Sequence, residues 1–110
     1  MLTVLPATIS YGSLSAVIRG TPFTDGAIEV GANVVQFGFC FDGGRENIAV
    51  IEVRTAPIYY RLTGETPGSV DGHEGQVGDI IISGKSSQFR AVRQSSSNGL
   101  IFITCFREAD

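Results

Sequence analysis

Hydrophobic residues in this chain alternate with polar ones over short runs, and Gly, Pro, Asp or Ser interrupts the alternation every few residues. Alternation sends side chains to opposite faces of a strand, whereas a helix needs apolar residues at i, i+3, i+4 and i+7. No helix-length window shows that second pattern free of Gly or a β-branched cluster, so the chain reads as all-β. Strands are expected over residues 8–19, 27–30, 34–41, 47–54, 58–62, 79–83, 88–93 and 100–107, with turns at 20–22, 25–26, 42–44, 64–78 and 95–99. About eight short strands punctuated this way suit an antiparallel sandwich, jelly roll or barrel in one domain over residues 1–110.

Two kinds of segment stand out. In Val35-Gln36-Phe37-Gly38-Phe39-Cys40-Phe41 the rings recur at every second position, which puts Phe37, Phe39 and Phe41 on one face and predicts that face as core. Truncation of Phe39 is then expected to cost roughly 3–5 kcal/mol. In residues 48–53, 80–82 and 100–106, by contrast, both faces are apolar. A strand apolar on both sides is covered on both sides. One sandwich covers only the inner faces of its sheets, so the excess predicts a subunit interface and a homodimer, with a trimer as the alternative.

Composition narrows the functions. Charged residues make up 17% of the chain, and the net charge of −3 comes from seven Arg, Lys85 and eleven carboxylates without a basic cluster, which argues against nucleic-acid binding. No basic and apolar leader opens the sequence, and no apolar run approaches the ~18 residues of a membrane span, so synthesis in a cytosol-like compartment away from membranes is expected. Cys40 and Cys105 lie in apolar runs and are expected as free thiols.

Candidate chemistry is sparse. His73 is the single histidine, with Asp71, Glu74, Glu65 and Asp79 nearby, but the two or three imidazoles of most catalytic metal sites are missing, and a turn-bonding or solvated role is expected. There is no Gly-x-Ser-x-Gly elbow and no phosphate-cradling loop. No catalytic residue, cofactor or metal is assigned. The segment GHEGQVGDIIISG has a cupin-like look, and a binder of that kind would use Tyr59 or Tyr60, His73, Arg90 and the 64–79 loop. The 64–79 loop, with five glycines, is long for a connection and reads as a surface loop. Arg61, Arg90, Arg93 and Arg107 fall near strand ends, and Arg is the cation favoured at interfaces.

Taken together, PIYYRLTGETP (57–67), Gly72-His73, GDIIISG (78–84), FRAVR (89–93) and the last apolar strand resemble the capsid decoration, or cement, proteins of epsilon15-type short-tailed phages. The resemblance covers roughly the second half of the chain. It implies a small jelly-roll-like antiparallel β-sandwich on the outer surface of a virion head. The implied partners are the major capsid protein and further copies of itself, and the implied action is to clamp neighbouring shell subunits. Interface residues expected on this reading are Tyr59, Tyr60, Arg61, His73, Arg90, Arg93, Phe102 and Arg107. A tail or fibre component and a cupin-like small-molecule or sugar binder are the alternatives.

Overall fold

The computed structural model describes residues 5–11, 14–41 and 44–108, and side chains from Gly20 to Arg107 apart from residues 42 and 43. Eight antiparallel strands form two sheets. They are β1 (Leu5–Tyr11), β2 (Leu14–Val30), β3 (Ile48–Arg54), β4 (Ile58–Arg61), β5 (His73–Gly75), β6 (Ile80–Ser83), β7 (Arg90–Arg93) and β8 (Gly99–Glu108), with one 3₁₀ turn at Ser86–Gln88. The larger sheet runs β1-β2-β8-β3-β6 and the smaller β5-β4-β7. From β3 onward the chain passes back and forth between the two sheets, which makes the molecule a small jelly-roll-like β-sandwich.

Strict alternation decides which side of the large sheet is core. Ala49, Ile51 and Val53 of β3 are fully buried and lie in register with Cys105, Ile103 and Ile101 of β8, while Ile51 also pairs with Ile81 of β6. From the small sheet come Ile58 and Ala91, and the space between is filled by Phe89 and Phe37. Each face-to-face row removes branched aliphatics from water, at roughly 1.5–3 kcal/mol per side chain. The β3–β4 corner is sharp. Thr55 takes φ +75° at a turn closed by the Ala56 amide donating to the Arg54 carbonyl at 2.9 Å. Gly99 sits beneath this corner, where a Cβ would come within 2.8 Å of the Ala56 carbonyl oxygen, so only glycine lets the two segments approach.

Four expectations are corrected. The 8–19 and 27–30 strands are β1 and one long β2: Gly20, Pro22 and Gly26 lie inside the strand, with a register shift between Pro22 and Thr24 marking a β-bulge. The bulge lets Pro22 sit in a strand without breaking the sheet. Residues 34–41 form no strand beyond an isolated bridge between Val35 and Ala91. The Phe41 amide donates back to the Gly38 carbonyl at 2.9 Å, and the turn ends the alternation. Consequently Phe37 is buried, whereas Phe39 and Phe41 are 37% and 48% exposed. The turn points Cys40 inward instead, and Cys40 is joined to Cys105 in a disulfide spanning 65 residues, not a pair of free thiols. The buried Asn47 amide group holds the same corner by donating to the Cys40 carbonyl at 2.6 Å. His73 lies in β5 with its side chain exposed, so of its two expected roles the solvated one holds.

Candidate functional site

The two sheets differ in what they show to solvent. On the outer side of the large sheet, register brings Ile82, Val50 and Thr104 into one row and Ile80, Glu52 and Phe102 into the next, with Ala27 beyond Phe102 and Asp25 beyond Thr104 on β2. Ile48, Val50, Ile80, Ile82, Leu100 and Phe102 are all half-buried there. Glu52 and Arg54 form an ion pair on this face, and the Arg54 guanidinium lies 4.8 Å from the centre of the Phe102 ring. The pair is surface-exposed, so its own contribution to folding is small. At the β2 margin the bulge opens a groove of about 320 Å³ lined by Pro22, Phe23, Thr24, Asp25 and Thr104.

The residues expected at an interface do not form one surface. Tyr59 and Arg61 alternate with Ile58 and Tyr60 along β4, and since Ile58 is buried, Tyr59 and Arg61 face out while Tyr60 faces in. Arg61 is opposite Arg90 on β7, and its Nη2 donates to Glu65 at 3.0 Å. Arg90 is held by its Nη1 donating to the carbonyls of Ser87 at 2.7 Å and Phe89 at 2.9 Å. Arg93 donates to Asn98 at 2.7 Å, and Asn98 in turn donates to Glu29 at 2.8 Å. Arg107 stacks over Phe23 at 4.6 Å. Of the eight residues, Phe102 alone belongs to the apolar outer face just described.

Tyr60 and His73 do come together. Their rings are 5.2 Å apart, and Tyr60 stacks at 6.0 Å on the buried Phe89. The row continues through Phe37 to the exposed Phe39, with centroids 5.6 and 5.4 Å apart. Tyr59 cannot join Tyr60 in a shared pocket, because the two leave the strand on opposite sides. Among the described residues, no group of three His, Cys, Asp or Glu side chains is placed to hold a metal ion.

Residue-level reading missed Ile48, Val50, Ile80 and Ile82 as surface residues and Asp25 as a groove residue. The signal for the first four was present in the doubly apolar runs. For Asp25 it was hidden, because Asp25-Gly26 reads as a turn rather than as the middle of a strand.

No protein-family profile and no curated protein matches the sequence. The chain is similar in structure to an ethanolamine utilization protein Q from Salmonella typhimurium LT2, with a TM-score of 0.50 over 99% of both chains at 8% sequence identity. At that identity the likeness extends to the fold, a cupin-like β-sandwich, and not to the activity.

Proposed function

We propose that this chain is a non-catalytic assembly protein that docks on a protein partner through the outer face of its five-stranded sheet, and that decoration of a phage head is the role it serves. One observation carries the reading: β3, β6 and β8 fill the core with one set of side chains and hold a second apolar set, from Ile48 to Phe102, on the outside. Three strands about 4.8 Å apart and several residues long span about 300 Å² in projection, within the size range of functional patches on small proteins. A patch of that size makes a weak contact singly. Repeated over the copies of a closed shell, weak contacts add through avidity, which is how a cement protein would reinforce joints between shell subunits. The resemblance of residues 57–107 to cement proteins supports the same role.

The fold likeness to the ethanolamine utilization protein favours a second reading, a cupin-like small-molecule binder with Tyr60 and His73 at its mouth. Heads assembled from the encoding genome with this gene deleted separate the two. Wild-type protein and His73→Ala are expected to sediment with such heads and raise the temperature at which they rupture, while Val50→Asp stays in the supernatant. Failure of all three proteins to sediment, together with small-molecule binding that His73→Ala abolishes, would transfer the assignment to the second reading.

A further inference from the structure

We infer that the occupant of the outer face is not a second copy of this chain but a different protein surface, apolar along its middle and carrying a basic side chain at one margin that enters the groove beside Asp25. The inference rests on the docking reading above and adds the chemistry of the partner. Asp25 and Glu29 mark the β2 side of the face, and both are exposed. Glu29 is engaged by Asn98. Arg54 is engaged by Glu52 and Phe102. Asp25 lines the bulge groove with Pro22, Phe23, Thr24 and Thr104, and no described cation is among the lining residues.

Two copies meeting face to face must share a two-fold axis lying in the plane of contact. With that axis along the strands, β2 of one copy lies over β6 of the other, and Asp25 is pressed onto Ile82. With the axis across the strands, β2 lies over β2, and the acids meet acids. Either way a carboxylate is desolvated with no cation to offset it, which is unfavourable. A partner with a Lys or Arg at the corresponding margin removes the conflict. Its ammonium or guanidinium would bind Asp25 and the Thr104 hydroxyl in the groove while its aliphatic residues cover Val50, Ile82 and Phe102.

Two alternating heptapeptides, Leu–Lys and Leu–Glu, serve as probes, with amide NMR shifts mapping where each binds. The Leu–Lys peptide is expected to bind roughly tenfold tighter than Leu–Glu, with shifts at Asp25, Ala27, Val50 and Phe102. Asp25→Asn should erase the preference and Asp25→Lys should reverse it, each in a folded protein. Light scattering at micromolar concentration should show a monomer. A dimer that Val50→Asp dissociates would overturn the inference in favour of a second copy, and shifts at Val50 and Phe102 with no charge preference would overturn it while leaving the docking reading intact. Peptide shifts confined to other surfaces, with none at Val50 or Phe102, would remove both.

Discussion

The two sheets of this sandwich share one core and differ on the side turned away from it. The small sheet is ordinary: Ile58, Tyr60 and Ala91 face inward, Tyr59 faces outward beside Val92, and Arg61 and Arg90 face outward with polar partners close by. Its sequence alternates because solvent covers one side. The large sheet repeats apolar residues on both sides, so Ile101 and Phe102, or Ile51 and Val50, differ in surroundings far more than in polarity. The inner set fills the space between the two sheets. The outer set costs solubility without adding to the core, which is why it is read as an interaction surface.

The largest expected effect tests the inner side, where Cys105 of β8 is tied to the turn that carries Phe37. Replacing Cys40 and Cys105 with Ser, or reducing the bond, frees a 65-residue loop in the unfolded chain, which chain-entropy arithmetic puts at about 4 kcal/mol. For a domain whose whole stability is roughly 5–15 kcal/mol, that leaves a marginal fold. Urea denaturation with and without reductant measures it. Overlapping transitions would mean that the bond adds nothing to the core side.

A paired substitution tests the comparison itself. Ile103→Ala should destabilise by about 2–5 kcal/mol, since a fully buried aliphatic leaves a cavity between the sheets. Ile82→Thr, two strands away on the outer side, should stay within about 0.5 kcal/mol because its site is partly solvated and the new residue keeps its β-branch. Equal losses in chemical denaturation would show that the outer row is also structural core, and the argument for a docking face would end there.

How much of this was legible in the sequence depended on whether local pattern and tertiary pairing agreed. Residues 48–53, 80–82 and 100–106 announced β3, β6 and β8, together with their double apolarity, because every position in them is set by the sheet. Residues 35–41 alternate just as cleanly, yet only Val35 finds a strand partner. The pattern there reflects Phe37 and Cys40 entering the core from a turn. β5 was hidden for the opposite reason: His73, Glu74 and Gly75 have no strand pattern and are ordered by pairing with Tyr60, Tyr59 and Ile58. The long β2 was missed because Gly26 reads as a turn residue, whereas the ring of Phe39 lies against it, 3.4 Å from where a Cβ would stand. Polarity on the outer face could be read from residues; the groove at Asp25 could not, since it exists only where the bulge displaces β2 from β8.

Phe39 gives the next smaller effect. Its ring keeps contacts with Phe37 and Gly26 but remains 37% exposed, so Phe39→Ala should cost about 1–2 kcal/mol, less than the 3–5 kcal/mol of a fully buried ring. Phe89→Ala, fully buried between the sheets, should reach that higher range. Denaturation midpoints for the two variants would order the aromatic row from its core to its edge. A loss at Phe39 equal to that at Phe89 would restore residues 35–41 as a core strand.

The smallest expected effect is a gain, and it concerns the corner through which the chain leaves the large sheet for the small one. Thr55 is the one described non-glycine residue with positive φ, at +75°, and a β-branched side chain is poorly suited to that region. The corner is nonetheless fixed from both sides, by the Arg54–Ala56 turn bond and by Gly99 packed beneath it. Strain of this kind is worth about 1–3 kcal/mol, part of which glycine returns as greater freedom in the unfolded chain. Thr55→Gly should therefore stabilise by about 1 kcal/mol, and Thr55→Pro, whose φ is locked negative and whose ring removes an amide, should destabilise strongly. Thermal denaturation of the two variants reads both signs. If Thr55→Gly instead lowered stability, the threonine side chain would be holding the corner, and the passage between the two sheets would depend on that side chain rather than on the backbone and on Gly99.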